Sequence, residues 1–456
     1  MENMKLCKAL FKNLEPGKEK RNFRVLFLAS CVVVSTIFFT CTDNPIPDEL
    51  YPSQDVPSLS DRPTITDIIP NAIAGDAVRE IQIRGTKLGI KNGTDTNWLF
   101  IGGLKPIYKQ ITDSLITIYR PSLSDDKYGV TIYFNITDPS FDGVSSSKEY
   151  VIQRPGAIVG DYTLAGNAAV QAFDFDTKEN LYAFIGGSRT LLRTDSAGVS
   201  QATILNAAYF PSGTTVLSTT TDMTFGPGDS LKNLYIINGQ NIIYRQKWSV
   251  DAPATTNKGV KITITPEVAK MDLDEIGNIY AGGRTGIYRI SSSIGTVDTP
   301  QVSASLGYAG LNIRQVRITK IGSTNYIYVA DSLRVWRSVL SNGAFADKEQ
   351  ELVTLIGTAY QDSNYINSIA IGAGGELYLC LKNHPKYSLF VVESDNSITP
   401  FYFDPSILPH TVDQLEWGNH NQLYLLSGSL LNNPGRIYRI NLDRNGAPYY
   451  GRQFVQ

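Results

Sequence analysis

The chain of 456 residues has only three histidines, His384, His410 and His420, and four cysteines, Cys7, Cys31, Cys41 and Cys380. Imidazole is the side chain best suited to proton transfer and metal ligation near neutral pH, so three scattered copies narrow both chemistries. No cysteine–histidine group has metal-ligand spacing, and no disulfide framework is implied. A nucleophile–histidine–aspartate triad finds few histidines to build on. Charged residues are scarce, at 18% with a formal net charge of −2, and the folded part has no basic block. Nucleic-acid binding is therefore not expected, because phosphate demands a positive surface. No Gly-rich phosphate loop opens a helix. No sustained helical periodicity follows residue 50. On these grounds the chain is expected to carry no cofactor and to be non-catalytic.

What is present favours strands. Tyrosine (25) and glycine (38) are plentiful, and aromatic and β-branched runs punctuated by glycine turns read as an all-β fold. The length calls for two or three domains.

The N-terminus reads as an address. Lys5, Lys8, Lys12, Lys18, Lys20, Arg21 and Arg24 precede an uncharged run, Val25–Thr40. A basic start followed by an apolar core is the secretory pattern, and sixteen residues fall short of the roughly 20 that span a bilayer. The polar, Pro-rich segment after Cys41 suits a tether. A cysteine closing the apolar core resembles the lipobox of bacterial lipoproteins, Bacteroidetes ones in particular. That resemblance implies a diacylglyceryl group on Cys41 and an outer-membrane location, on the cell surface or the periplasmic face. Cys31, after Leu28-Ala29-Ser30, fits the residue pattern better. Cleavage there would leave only about six apolar residues upstream, against the roughly 7–15 of a signal core.

Residues 63–154 alternate in short runs: Pro63–Pro70, Ile81–Thr86, Leu99–Gly103, Ile116–Pro121 and Val130–Phe134. The spacing suits a β-sandwich. The order P-x-I-x-x-I-x-P, I-x-I-x-G and F-x-G-G resembles the IPT/TIG immunoglobulin-like domain, commonly a spacer or binding module. Trp98 reads as a sandwich edge rather than a stacking platform.

From residue 155 the sequence repeats. An aliphatic–Tyr pair recurs at Tyr182, Tyr235, Tyr280, Tyr328, Tyr378 and Tyr424, spaced 53, 45, 48, 50 and 46 residues apart. Nine to fifteen positions later stands a second mark: Arg193, Arg245, Arg289, Arg337, Val391 and Arg439. That interval is one hairpin crossing. A two-residue apolar beat precedes each unit, as in Met271-Asp272-Leu273. Six units of nearly 50 residues fit six four-stranded propeller blades. The unit from Met271 to Tyr280 resembles the NHL repeat, and Thr163-Leu164-Ala165-Gly166 is similar to the end of an NHL blade, which suggests a strand that latches the ring. The expected chain is thus a signal peptide (1–40), a tether (41–62), an immunoglobulin-like β-sandwich (63–154) and a six-bladed β-propeller (155–456).

The repeat also deflates tempting residues. Trp336 and Trp417 occupy slots filled elsewhere by core residues, Trp248 follows an outer strand, and the arginine series reads as a structural ladder. Asp174, Asp176, Asp272, Asp274 and Glu275 fall on inner strands or the turns after them, so turn chemistry accounts for them as well as catalysis does. Propellers of this kind usually meet ligands on the face made by interblade loops and second-to-third-strand hairpins. On that rim the candidate ligand-binding residues are Arg189, Arg284, Arg334, His384 and Tyr387. Polar, amide-rich loops suit a glycan or another nutrient. The expected function is an auxiliary nutrient-binding lipoprotein, with an outer-membrane transport complex as partner. The alternatives are a protein–protein scaffold of the outer membrane and a propeller lyase or hydrolase.

Overall fold

The structure, a computed structural model, describes residues 63–448, apart from 72, 90–96, 124–125, 136–141, 162–168, 177, 187–189, 196–200, 206–219, 227–231, 240, 249–259, 292–301, 305, 342–343, 346–348, 363–364, 419 and 429–434. The signal segment, the tether and Cys41 lie outside the described residues. The described chain is all-β, with one short 3-10 turn at Leu306–Tyr308. Among the described residues no helix is long and apolar enough to cross a membrane.

Residues 64–152 form two four-stranded sheets. One orders Thr64–Ile69, Glu80–Thr86, Leu115–Tyr119 and Tyr108–Ile111; the other orders Ile73–Ala74, Asp142–Ile152, Asp126–Asn135 and Asn97–Ile101. Alternation sends one face of each strand inward, so Ile81, Ile83, Ile116 and Ile118 of the first meet Leu99, Ile101, Val130 and Ile132 of the second in one apolar core.

Six further sheets follow, here numbered 1 to 6. Their inner strands are Val170–Phe175, Thr220–Gly226, Lys270–Leu273, Gln315–Ile321, Tyr365–Ile371 and Gln414–Trp417. Each sheet runs antiparallel in chain order from inner to outer strand, and sheet 4 carries a fifth strand. Sheet 6 has three strands of its own, and its fourth comes from Ala157–Asp161, which pairs with Arg436–Asn441. The latching strand therefore lies just before the Thr163–Gly166 segment that the repeat pattern singles out. That segment is outside the described residues.

The two sequence marks prove to be one structural feature. Tyr182 stands opposite Arg193, Tyr235 opposite Arg245, Tyr280 opposite Arg289, Tyr328 opposite Arg337 and Tyr424 opposite Arg439, always on the second and third strands. Directly opposed residues are the closest cross-strand neighbours, so each guanidinium can lie against a phenol. The turn before the tyrosine is equally regular. Asp274 accepts hydrogen bonds from Ile276 N (3.2 Å), Asn278 N (2.8 Å), Asn278 Nδ2 (2.6 Å) and Tyr280 Oη (3.3 Å), and Gly277 takes φ = 84° to close it. Asp176 repeats the arrangement with Lys178, Asn180 and Tyr182. These two carboxylates are consumed by turns. Trp336 and Trp417 are buried.

Each inner strand is tied to the next by a side chain. Asp174 accepts Phe225 N (2.9 Å), Asp222 accepts Met271 N (2.8 Å) and Asp272 accepts Ile318 N (2.7 Å). Arg317 donates to Ile369 O (3.3 Å), and Ser368 accepts Leu415 N (3.1 Å). Gln414 then donates to Phe173 O (3.0 Å), which returns the series to sheet 1. Phe175 against Tyr424, 4.1 Å between ring centroids, packs the same junction. Polar residues in the middle of apolar strands are thereby explained. Each one satisfies a backbone group that has no ladder partner, because the inner strands face one another without being paired.

The first two sheets are fixed to sheets 5 and 6. Arg79 donates to Phe401 O (3.1 Å), Thr399 Oγ1 (2.8 Å) and Glu393 Oε1 (2.9 Å). Burial works against the Glu393 charge, but hydrogen bonds from Thr399 and Arg79 hold its carboxyl below the usual range. Tyr119 stacks on Phe403 at 3.7 Å, Asn441 N donates to Asp76 (3.0 Å), and Ser122 N donates to Asp404 (3.0 Å).

Candidate functional site

The inner strands of sheets 1, 2 and 5 each carry a register shift, between Val170 and Ala172, Thr220 and Asp222, and Ile366 and Ser368. A bulge re-aims one side chain and ends regular pairing. A collar of half-buried residues stands just before each apolar beat: Gln171, Thr221, Ala269, Arg314, Asn367 and Asp413. Over sheets 3 to 5 the collar opens into a cleft of about 380 Å3, lined by Glu267, Lys270, Arg284, Asn312, Arg314 and Asn367. That size lies within the roughly 300–1,000 Å3 of small-molecule sites.

Lys270 forms its floor. Its side chain is 17% exposed, lies 3.6 Å from Asp222 Oδ1, and donates to Thr221 O at 3.0 Å. Burial pushes the Asp222 carboxyl up, opposed by Lys270 and Arg317. Arg314 is placed differently. Its Nε donates to Ser332 Oγ (3.4 Å) and its guanidinium lies 4.8 Å from the Tyr365 ring centroid, with no carboxylate partner among the described residues. Asn367 donates to Asp413 O at 2.8 Å, and Asp413 lies 3.8 Å from Lys382. Arg284 reaches Glu267 at 3.7 Å. The lining thus has three cations and one carboxylate. Below it lies a buried network in which Arg317 meets Glu416 at 2.5 Å and donates to Leu415 O at 2.8 Å.

Of the rim residues expected from sequence, Arg284 lines this cleft. Arg334 lies 3.7 Å from Glu351 at the flank of sheet 4. His384 and Tyr387 stay together in an aromatic cluster with Tyr360 and Phe390, outside the cleft lining. His384 Nδ1 accepts Lys386 N (3.2 Å) and Tyr387 N (2.9 Å), and burial, then Lys386, holds the imidazole below its usual value. Arg189 lies outside the described residues. Lys270, Asp222, Arg314 and Asn367 escaped the sequence reading. Their shared signal is a polar residue one or two places before the apolar beat. Among the described residues no three His, Cys, Asp or Glu side chains converge as a metal-holding group.

No protein-family model matches the chain, and no curated protein matches it either. Similar solved structures are β-propeller proteins. One, a protein of unknown function from Bacteroides thetaiotaomicron, is 10% identical, covers 85% of this chain and 98% of its own, and has a TM-score of 0.43. A gluconolactonase from Xanthomonas campestris is 14% identical, covering 63% and 95%, with a TM-score of 0.41. A catalytically inactive variant of virginiamycin B lyase from Staphylococcus aureus, with quinupristin, is 14% identical, covering 70% and 93%, with a TM-score of 0.39.

The expectation of a non-catalytic chain is corrected here. Structures of similar arrangement include a gluconolactonase and a lyase, both enzymes. Scarce histidine does not by itself exclude catalysis. Proton transfer needs a titratable group, and a carboxyl such as that of Asp222, raised by burial, is one without imidazole.

Proposed function

We propose that this chain is a cell-envelope lipoprotein in which an IPT/TIG-like sandwich carries a six-bladed propeller. The axial mouth of the propeller takes a small anionic, hydroxylated ligand, such as an acidic glycan fragment, and acts on it as a lyase or hydrolase. The observation that carries this reading is Arg314, a guanidinium at the cleft with no carboxylate partner among the described residues, set beside Lys270 and Asn367. A ligand carboxylate would complete its pairing, and guanidinium geometry suits bidentate capture. Amides such as Asn367 suit sugar hydroxyls. Lys270 and Asp222 form the proton-transfer pair. Docking of the first domain against sheets 5 and 6 supports its reading as a spacer held rigidly on the propeller.

The test is calorimetry of the detergent-purified full chain with gluconate, galacturonate and trigalacturonate. It is paired with assays for unsaturated product from trigalacturonate and for proton release from glucono-1,5-lactone. Arg314→Gln is expected to weaken binding about 10-fold or more, and Lys270→Met to lower turnover about 100-fold or more. Binding without turnover would return the chain to the nutrient-binding class. Absence of both would leave the outer-membrane scaffold, to be sought by pull-down from solubilised envelopes.

A further inference from the structure

The Tyr–Arg ladder is broken in one sheet. In sheet 5 the residue opposite Tyr378 is Val391, so the cross-strand guanidinium is missing there. A cleft of about 470 Å3 opens at this place, away from the axial mouth, and Tyr378, Val391, Arg79, Glu376, Glu393 and Arg444 are among the residues that line it. Tyr378 is only 3% exposed as a residue, yet its hydroxyl is not fully buried and makes no hydrogen bond among the described residues. Tyr378 lines the cleft together with Arg444, Glu376, Asp443 and Arg79. Burial pushes its phenol up to about 12, which keeps it a neutral donor at physiological pH.

We infer that this cleft is a second binding site, for a neutral sugar of one or two rings. The charge of its walls is already compensated. Arg79 pairs with Glu393 at 2.9 Å, and Arg444 pairs with Glu376 at 2.9 Å and with Asp443 at 3.1 Å. An ionic ligand would have to break one of these pairs. A neutral polyol meets the same groups as an ordered set of donors and acceptors, and the Tyr378 hydroxyl at the cleft can donate to it. The apolar side of the cleft, from Phe401 and Leu442, suits the C–H face of a pyranose. The first domain takes part directly, since Arg79 lies on the segment leading into its second long strand.

The repeat itself supplies the decisive variant. Val391→Arg restores the residue found at this position in the other five sheets, so the fold should tolerate it while the new side chain fills the cleft. Tyr378→Phe removes one hydroxyl and little else. The experiment is calorimetry of the full chain in detergent against glucose, galactose, mannose, xylose, maltose and cellobiose. At least one is expected to bind with Kd below about 1 mM. Tyr378→Phe should weaken it about 10-fold, Val391→Arg should abolish it, and Lys270→Met and Arg314→Gln should leave it unchanged. No binding by any of the six, or binding equal in Val391→Arg, overturns the site. Loss in Lys270→Met or Arg314→Gln instead would place the sugar at the axial mouth, which also overturns it. The acidic-ligand assays on the mouth read out independently.

Discussion

Replacing Arg317 by methionine is expected to destabilise the chain by about 3–5 kcal/mol, among the largest losses any single substitution here can produce. Arg317 and Glu416 are both almost fully buried and lie 2.5 Å apart. Removing the cation leaves the Glu416 carboxylate in a low-dielectric interior without the guanidinium that now meets it. It also leaves Ile369 O and Leu415 O without the side-chain donor that now reaches them. Those carbonyls belong to sheets 5 and 6, so one side chain on sheet 4 ties three inner strands together. The double change Arg317→Met with Glu416→Leu should recover much of the loss, because Glu416 is then no longer a buried charge without its cation. Urea unfolding of the two variants decides it. A loss under about 1 kcal/mol in the single variant, or none recovered in the double, would mean that solvent reaches the Arg317–Glu416 pair.

The second large effect concerns pH. Burial pushes the Asp272 carboxyl up to about 7 against the opposing pull of Arg317 and of the Ile318 and Leu273 amides. In the unfolded chain it returns to the ordinary value near 4. Between these values the folded state binds a proton that the unfolded state has released. Stability is then greatest below the unfolded value and falls as pH rises toward 7. Three units at about 1.4 kcal/mol each set roughly 4 kcal/mol as the scale of the decline. Asp222, also pushed up by burial, adds a decline of the same sign. Glu393 and Asp404, held low by their hydrogen bonds, stabilise above the unfolded value near 4 and lose that contribution only in more acidic solution. Unfolding free energy should therefore fall between pH 5 and 7 in the wild type and fall less in Asp272→Asn. In Arg317→Met, which removes a cation from its field, the decline should extend to higher pH. A flat profile from pH 5 to 7 would show that Asp272 is ionised in the folded chain.

The all-β character, the six units and their strand phase were legible in the sequence because each strand is local. A hairpin fixes which residues oppose one another, so an interval of 9–15 residues between Tyr and Arg marks translates directly into the pairs Tyr280–Arg289 and Tyr328–Arg337. The Asp274–Asn278 turn was legible for the same reason, since all its bonds fall within six residues. Even the broken ladder stood in the sequence, as Val391 where the other units have arginine.

Tertiary structure alone decided the sites. Lys270 meets Asp222 across 48 positions, Arg317 meets Glu416 across 99, and Arg79 meets Glu393 across 314. A polar residue before an apolar beat looks the same whether its partner is water or the next sheet, and only the closing of inner strand on inner strand separates the two. His384 shows the converse. Its loop is long and its type suggestive, yet it packs against Tyr360 and Phe390, outside the cleft lining. Local hydrogen bonding and alternation thus wrote the elements into the sequence. The sites exist because burial, which acts between residues far apart in the chain, brings charges and hydroxyls together and sets what each must bond.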